Sequence, residues 1–296
     1  MNYAHIPVMA KEVLDVFSPQ KGESVLDVTL GLGGHAELFL KAIGDSGSLT
    51  GLDADKKNLD TAHLRLKAFS HTHFIHTNFG ELPNLNLGTF DMIFGDLGVS
   101  SPHFDDPTRG FTFREDAPLD MRYDLTSGST TAEWIAQMPE EEIARVLFHY
   151  GELKQSRKLA KSIKETLPTT THQLVECVKL VTGYKAPSLL PQVFQSFRIV
   201  VNNELEALHT LLEVGPTLLN PGGRIGILSY HSLEDRLVKQ TFKALSTAEK
   251  DDRTGQDKAP APFVLVTKKA LSPSEEEIAQ NPRARSAKLR VLRKNS

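Results

Sequence analysis

Cysteine and tryptophan are nearly missing: the 296 residues hold one of each, the cysteine being Cys177. A single cysteine excludes an internal disulfide and a zinc site built on several thiolates, and no other metal-binding cluster is readable. Long apolar runs are missing as well. No stretch approaches the roughly 18 consecutive apolar residues of a membrane helix. Met1 to Phe17 lacks the basic and apolar regions of a secretory signal. A cytoplasmic protein with no membrane partner is therefore expected. Neither sign of charge is in large excess: 34 Lys and Arg stand against 37 Asp and Glu, for a net charge of -3. Bulk charge thus announces no nucleic-acid partner. There is no internal repeat, and the composition leaves oligomeric state open.

What is present is an ordinary globular mixture, 40% hydrophobic and 24% charged, long enough for one large domain or two smaller ones. Short apolar runs bounded by Gly, Asp and Pro predict strands at Ser24 to Thr29, Ser48 to Asp53, His73 to Thr77 and Phe90 to Gly95. Helical segments, Ala36 to Ile43 and Lys56 to Phe69, follow the first two. Such alternation predicts βαβ units and a parallel sheet. The pattern stops after Asp96 and resumes at Gly222 to Ser229, followed by strands at Phe263 to Lys269 and Ala287 to Arg293. A gap of about 125 residues is too long for an ordinary connection. It carries helical spacing at Thr130 to Met138, Glu140 to Tyr150, Lys154 to Leu167 and Thr171 to Val181, with a longer helix, Asn202 to Leu219, leading back to the sheet. The expected organisation is a doubly wound domain, 1–103 with 201–296, carrying an inserted helical domain, 104–200. Ser246 to Pro262 is expected to be a flexible loop.

The first strand leads into Asp27-Val28-Thr29-Leu30-Gly31-Leu32-Gly33-Gly34-His35. Glycines at a strand-to-helix turn let a ligand approach the backbone. Asp53 ends the second strand about twenty residues later, where a carboxylate accepts from ribose hydroxyls. The spacing is G-x-G-G rather than the dinucleotide G-x-G-x-x-G. A pyrophosphate needs several free N–H groups at the helix start. S-adenosylmethionine has no phosphate, tolerates a looser turn, and carries an amino group that Asp27 could meet. Asn78 and Phe79, after the third strand, are candidates for the edge and face of its adenine.

The fourth strand leads into Asp96-Leu97-Gly98-Val99-Ser100-Ser101-Pro102. Amino methyltransferases hold an acid or amide here, followed by prolines and an aromatic, whose place Val99 takes. An exocyclic base amine is a poor nucleophile because its lone pair is delocalised. Hydrogen bonds to a carboxylate favour rehybridisation and aim the lone pair at a methyl donor, by positioning and electrostatics. Asp96 is the candidate carboxylate, though it could instead touch the methionine part of the cofactor. A flipped base needs a stacking partner, for which Phe104, Phe111, Phe113 and Tyr230 are candidates. Ser229 to Arg236 follows the fifth strand, bringing Tyr230 and His231 to the same sheet edge. His231 could handle a proton; the alternative is a simple helix start capped by Ser232. From Arg283 to Lys294 the chain is basic with no acid, either a solvated strand or a phosphate-contacting edge.

Taken together the motifs resemble the bacterial 16S ribosomal RNA cytosine-N4 methyltransferases. The matching stretches are His5 to Met9, Thr29 to His35, Gly51 to Asp53, Asp96 to Pro102, Arg109 to Phe111, Pro118 to Arg122, Phe197 to Ile199 with Asn202, Glu204 and Leu205, Ser229 to Arg236, and Asn281 to Arg290. They span the chain in order. The resemblance implies an α/β class I methyltransferase (Rossmann-like) fold, a doubly wound sheet of about seven strands with an inserted all-helical domain. It implies S-adenosyl-L-methionine as cofactor and N4 of a cytidine in the decoding region of the small ribosomal subunit as target. The family's cofactor contacts fall on Gly33, Gly34, His35, Asp53, Phe79, Asp96 and His103, the last commonly glutamine. Asp96, Tyr230 and His231 are the candidate catalytic residues, with Tyr230 standing where phenylalanine is common. Lys185 to Pro191 departs from the family's His-Pro-Ala-Thr stretch. An RNA surface is expected at Arg109, Arg114, Arg122 and the tail from Arg283. The competing readings are an NAD-dependent oxidoreductase and a non-catalytic ribosome- or RNA-binding protein on the same fold.

Overall fold

The computed structural model describes residues 7–251, 254, 256 and 258–296. His5 and Ile6 of the first motif, and residues 252, 253, 255 and 257 of the expected loop, lie outside them. The chain falls into two compact units, Met1–Gly98 with Glu206–Ser296, and Val99–Leu205.

In the first unit, α1 (Ala10–Phe17) precedes β1 (Ser24–Asp27), α2 (Gly34–Ile43), β2 (Ser48–Asp53), α3 (Lys56–Leu66), β3 (Thr72–His76) and β4 (Phe90–Asp96). The second unit contributes α4 (Ser101–Asp105), α5 (Thr131–Gln137), α6 (Glu140–His149), α7 (Ser156–Thr166), α8 (Thr171–Thr182) and α9 (Ala186–Val201). The chain continues through α10 (Glu204–Val214), β5 (Leu219–Ser229), α11 (Ser232–Leu245), β6 (Phe263–Leu265), α12 (Glu275–Gln280) and β7 (Lys288–Lys294).

The strands form one seven-stranded sheet in the order β3-β2-β1-β4-β5-β7-β6. The first five are mutually parallel, and β7 runs antiparallel to both β5 and β6. This is the α/β class I methyltransferase architecture. Alternate residues of a strand face opposite sides, and the sequence places apolar residues on both. Val25, Leu49, Met92, Phe94 and Leu228 pack with α1, α2 and α3 on one face. Leu26, Leu52, Ile93, Ile225 and Ile227 pack with α10 and α11 on the other. Phe17 of α1 meets Phe39 and Phe94 edge-on at 5.5 and 5.8 Å between ring centres. A Cβ on Gly226 would lie 2.4 Å from the Phe17 ring, so that strand position needs glycine.

The helical unit has its own core, centred on Ile135, Leu147, Leu159, Ile163, Leu174, Val178 and Phe197. Local signals start and stop its helices. A reciprocal Thr130–Glu133 capping box opens α5, Thr170 caps α8, and Gly183 follows it.

Several expected elements differ. The helix expected over Asn202 to Leu219 is the shorter α10, which starts only after Asn202-Asn203, where Asn203 takes a left-handed φ of 51°, and it is preceded by α9, a helix the sequence reading did not place. Beyond α10 a 3-10 turn, Gly215–Leu218, replaces the rest. Pro187 and Pro191 hid α9. Pro187 sits in the first turn, where its missing N–H costs nothing. Pro191 lies inside, in a helix that buries Leu190, Val193, Phe194, Phe197 and Ile199. The strand expected to run to Lys269 stops at Leu265, and the helix expected to reach Phe69 stops at Leu66.

Candidate active site

In an open α/β sheet, ligands gather beyond the carboxyl ends of the parallel strands. Here those ends present acids. Asp27 ends β1 with 1% of its surface exposed, and its Oδ1 accepts from the Thr29 N–H at 3.1 Å. Burial, reinforced by the charges of Asp96 and Asp53, pushes its carboxyl up to about 8. Asp53 ends β2. Its two oxygens accept from the N–H groups of Gly31 and Asp55, each at 2.7 Å, so it fastens the glycine turn to its own strand. Burial pushes Asp53 up to about 6 against those hydrogen bonds.

The glycine turn is shaped by the residues around it. Gly31 and Gly33 take left-handed φ values of 54° and 75°, and Gly33 is the N-cap of α2. A Cβ on Gly34 would lie 2.8 Å from the Pro7 ring. Asn78 caps the 3-10 turn after β3 through its side-chain oxygen, 2.8 Å from the Gly80 N–H, and places Phe79, half-buried, at the same sheet edge.

Asp96 ends β4 and is held on several sides. Its N–H donates to Thr29 Oγ1 at 2.6 Å. Its Oδ1 accepts from the Tyr230 hydroxyl at 2.7 Å. Its Oδ2 lies 3.5 Å from Nδ1 of His35. Strand periodicity explains the meeting. Phe94 and Asp96 are two apart on β4, and His35 packs its ring 4.7 Å from that of Phe94. Leu228 pairs with Asp96 across β4 and β5, so Tyr230, two residues on, returns to the same side. Burial first, then the Asp96 charge, hold the Tyr230 phenol well above its ordinary value, and it remains a donor. His35 Nε2 lies 2.9 Å from the Val8 carbonyl and therefore carries a hydrogen. Burial pulls His35 down to about 4, which leaves the ring neutral with the Nδ1 lone pair towards Asp96.

His231 is the N-cap of α11, in place of the Ser232 cap considered from sequence. Its Nδ1 accepts from the Glu234 N–H at 3.4 Å, and Glu234 Oε2 accepts from the N–H groups of Tyr230 and His231 at 2.8 and 3.2 Å. Its Nε2 lies 3.2 Å from Glu234 Oε1, without hydrogen-bond geometry. The signal was in the sequence as a capping-box spacing, His231-x-x-Glu234, but histidine is an unusual residue to open one.

His103 belongs to the helical unit. It is buried, its Nδ1 accepts from the Ser100 N–H at 3.2 Å, and its ring lies 4.9 and 5.2 Å from those of Phe111 and Tyr123. Of the four stacking candidates, Phe111 is buried against Tyr123, Phe113 meets Phe194 edge-on, and Tyr230 holds Asp96. Phe104 is the most exposed, at 37%.

Part of the expected basic surface is engaged within the protein, while Arg114, Arg285 and Arg293 stay exposed. Arg109 is 5% exposed and donates to the carbonyls of Arg122 and Tyr123. Arg122 forks onto Asp120 at 2.8 and 3.0 Å. Arg290 and Lys288 both pair with Asp235.

The MraW methylase family model matches residues 2–295. A ribosomal RNA small subunit methyltransferase H from Bacteroides fragilis is 40% identical, with 98% of this chain and 97% of the relative aligned. The protein of the same name from Syntrophotalea carbinolica is 41% identical over 99% and 98%, and that from Synechococcus elongatus is 40% identical over 98% and 94%.

Proposed function

Because the chain belongs to the MraW methylase family, we propose that it performs the reaction its relatives are named for, S-adenosylmethionine-dependent methylation of small-subunit ribosomal RNA, at N4 of a cytidine in the decoding region. The observation that carries the reading is the Asp96 carboxylate at the end of β4, fixed by Tyr230 and the Thr29 tie, on the sheet edge that also holds Asp27 and Asp53.

The donor set fits the cofactor. S-adenosylmethionine supplies an electrophilic methyl group on a sulfonium, beside an ammonium, a carboxylate and a ribose. Asp27, buried and unpaired with any cation among its hydrogen bonds, suits the ammonium. Asp53 has its oxygens oriented by Gly31 and Asp55 and retains lone pairs for the ribose hydroxyls. Gly33, Gly34 and His35 line the turn, and Phe79 offers a ring for the adenine.

The target amine is held by Asp96. As nitrogen gains its fourth bond it must shed one proton, and the carboxylate both orients the N–H and receives that proton. The Tyr230 hydroxyl keeps one carboxylate oxygen engaged, so the other bears the lone pairs that face the work. His35 Nδ1, neutral and 3.5 Å away, is placed to accept a hydrogen bond from Asp96 once it is protonated. His231 shapes this corner through Glu234, which also accepts from the Tyr230 N–H. The inserted unit is the RNA-recognition part of the protein in this reading.

The test is methyl transfer from labelled cofactor to small ribosomal subunits, and to their naked RNA, lacking the modification, followed by nucleoside mass spectrometry. Label in N4-methylcytidine is expected. Label in another nucleoside, or none with cofactor binding intact, would overturn the reading.

A further inference from the structure

Charge is divided unequally along the helical unit. Residues 99–152 hold four Lys and Arg against eleven Asp and Glu, whereas residues 153–199 hold eight against two. The net charge of -3 hides this segregation. Several of the eight are engaged within the fold. Lys164 donates to the carbonyls of Ile135, Ala136 and Met138 at the end of α5, a cation closing a helix C-terminus. Arg198 forks onto Glu204 at 2.8 and 2.9 Å, and Lys179 meets Glu176.

Lys185 lies over the Tyr184 ring beyond α8, and the other four concentrate on one side of α7. Leu159, Ala160 and Ile163 turn into the core of the unit. Lys154, just before the helix, and Arg157, Lys158 and Lys161 on it are exposed. Spacings of three and four residues place them on a single stripe, about two cations per turn of about 5.4 Å. Among the described residues, Lys154, Arg157 and Lys158 have no hydrogen-bond or ion-pair partner. Lys161 has Glu165 at 3.9 Å, with both side chains 66% exposed. Four cations held side by side on a rigid helix repel one another, and the fold offers them almost no internal compensation. A polyanion does.

We propose that the outward stripe of α7, Lys154, Arg157, Lys158 and Lys161, is the surface through which this chain grips the phosphate backbone of its RNA. The proposal rests on the function proposed above and replaces the Arg109 and Arg122 surface, whose guanidinium groups are spent on their own loop. Contacts of this kind position the nucleic acid and carry no base specificity. They act on affinity and on its salt dependence through counterion release.

The experiment uses the full chain with Lys154→Gln, Arg157→Gln, Lys158→Gln and Lys161→Gln together, and naked 16S ribosomal RNA transcribed in vitro. Binding is titrated at several salt concentrations, and cofactor binding is measured in parallel to show the sheet unit intact. The expected result is weaker RNA binding, a plot of log affinity against log salt shallower by about 3 units of slope, and unchanged cofactor affinity. At saturating RNA kcat holds while kcat/KM falls. A companion variant with Lys154→Arg, Arg157→Lys, Lys158→Arg and Lys161→Arg keeps the charge and the wild-type slope. A glutamine variant with wild-type affinity and slope would sink the proposal. So would a variant that binds naked RNA normally yet fails on intact subunits, which assigns the stripe to a ribosomal protein. Absence of methyl transfer by the wild-type chain to either substrate overturns the proposed function instead.

Discussion

The Tyr230 hydroxyl gives Asp96 a charge-assisted hydrogen bond at 2.7 Å. Such bonds are worth about 1.5–3 kcal/mol where they are made, but phenylalanine is common at this position in the family, so Tyr230→Phe should keep kcat for methyl transfer within about tenfold of the wild type with cofactor affinity little changed. Asp96→Ala should cost more, about a hundred- to a thousandfold. Undiminished transfer by Asp96→Ala would remove it from the chemistry. Asp27 makes a different prediction. Its carboxyl is raised to about 8 in the fold by burial and is ordinary in the unfolded chain, so the folded state binds the extra proton. Its contribution to stability is complete below the unfolded value near 4 and is lost as pH rises towards 8. The melting temperature of the cofactor-free protein should therefore fall between pH 5 and 8 more steeply in the wild type than in Asp27→Asn. An ammonium docked beside Asp27 favours its ionised form, so cofactor binding near pH 7 should release a proton. Calorimetry in buffers of different ionisation enthalpy reads that release, and equal heats across buffers would place the ammonium elsewhere.

The start of α11 decides whether His231 is chemical or structural. Loss of an N-cap costs about 0.5–2 kcal/mol, and asparagine is among the best residues there. His231→Ala should destabilise by about 1 kcal/mol, whereas His231→Asn should keep both stability and transfer. An inactive but stable His231→Asn variant would establish proton handling by the ring. The same element shows what the sequence could and could not reveal. Three of the five parallel strands were legible as short, largely apolar runs closed by an acid, and Asp27, Asp53 and Asp96 were legible as the residues closing them. The ties among side chains were not. The Tyr230–Asp96 bond joins residues 134 apart in sequence, through a strand register that no local pattern encodes. Helix α9 escaped because two prolines argue against it locally, while its buried Phe194 and Phe197 argue for it only once the core is assembled. Arg109 and Arg122 misled for a similar reason. A guanidinium reads as a surface charge until the carbonyls it satisfies, such as those of Arg122 and Tyr123, are in view.

At the scale of the whole chain, two compact units with separate cores should differ in their response to ligand. Calorimetry should resolve two transitions, and S-adenosylmethionine should raise the one belonging to the sheet unit, by mass action on the state that binds it. A single transition shifting as one would show that the units unfold together. Among the described residues no helix is long and apolar enough to cross a membrane. The sheet order carries a last consequence, for the order of events during synthesis. β7 pairs with β5 on one side and β6 on the other, yet it is translated after both. Until residues 288–294 emerge, β5 stands as a bare edge and β6 has no neighbour to hold it. A growing chain thus carries an open, apolar strand edge across the translation of more than fifty residues, the kind of edge that recruits other strands. Slowing translation in that interval should make the nascent protein depend more on chaperones, although the finished fold shows no sign of the hazard.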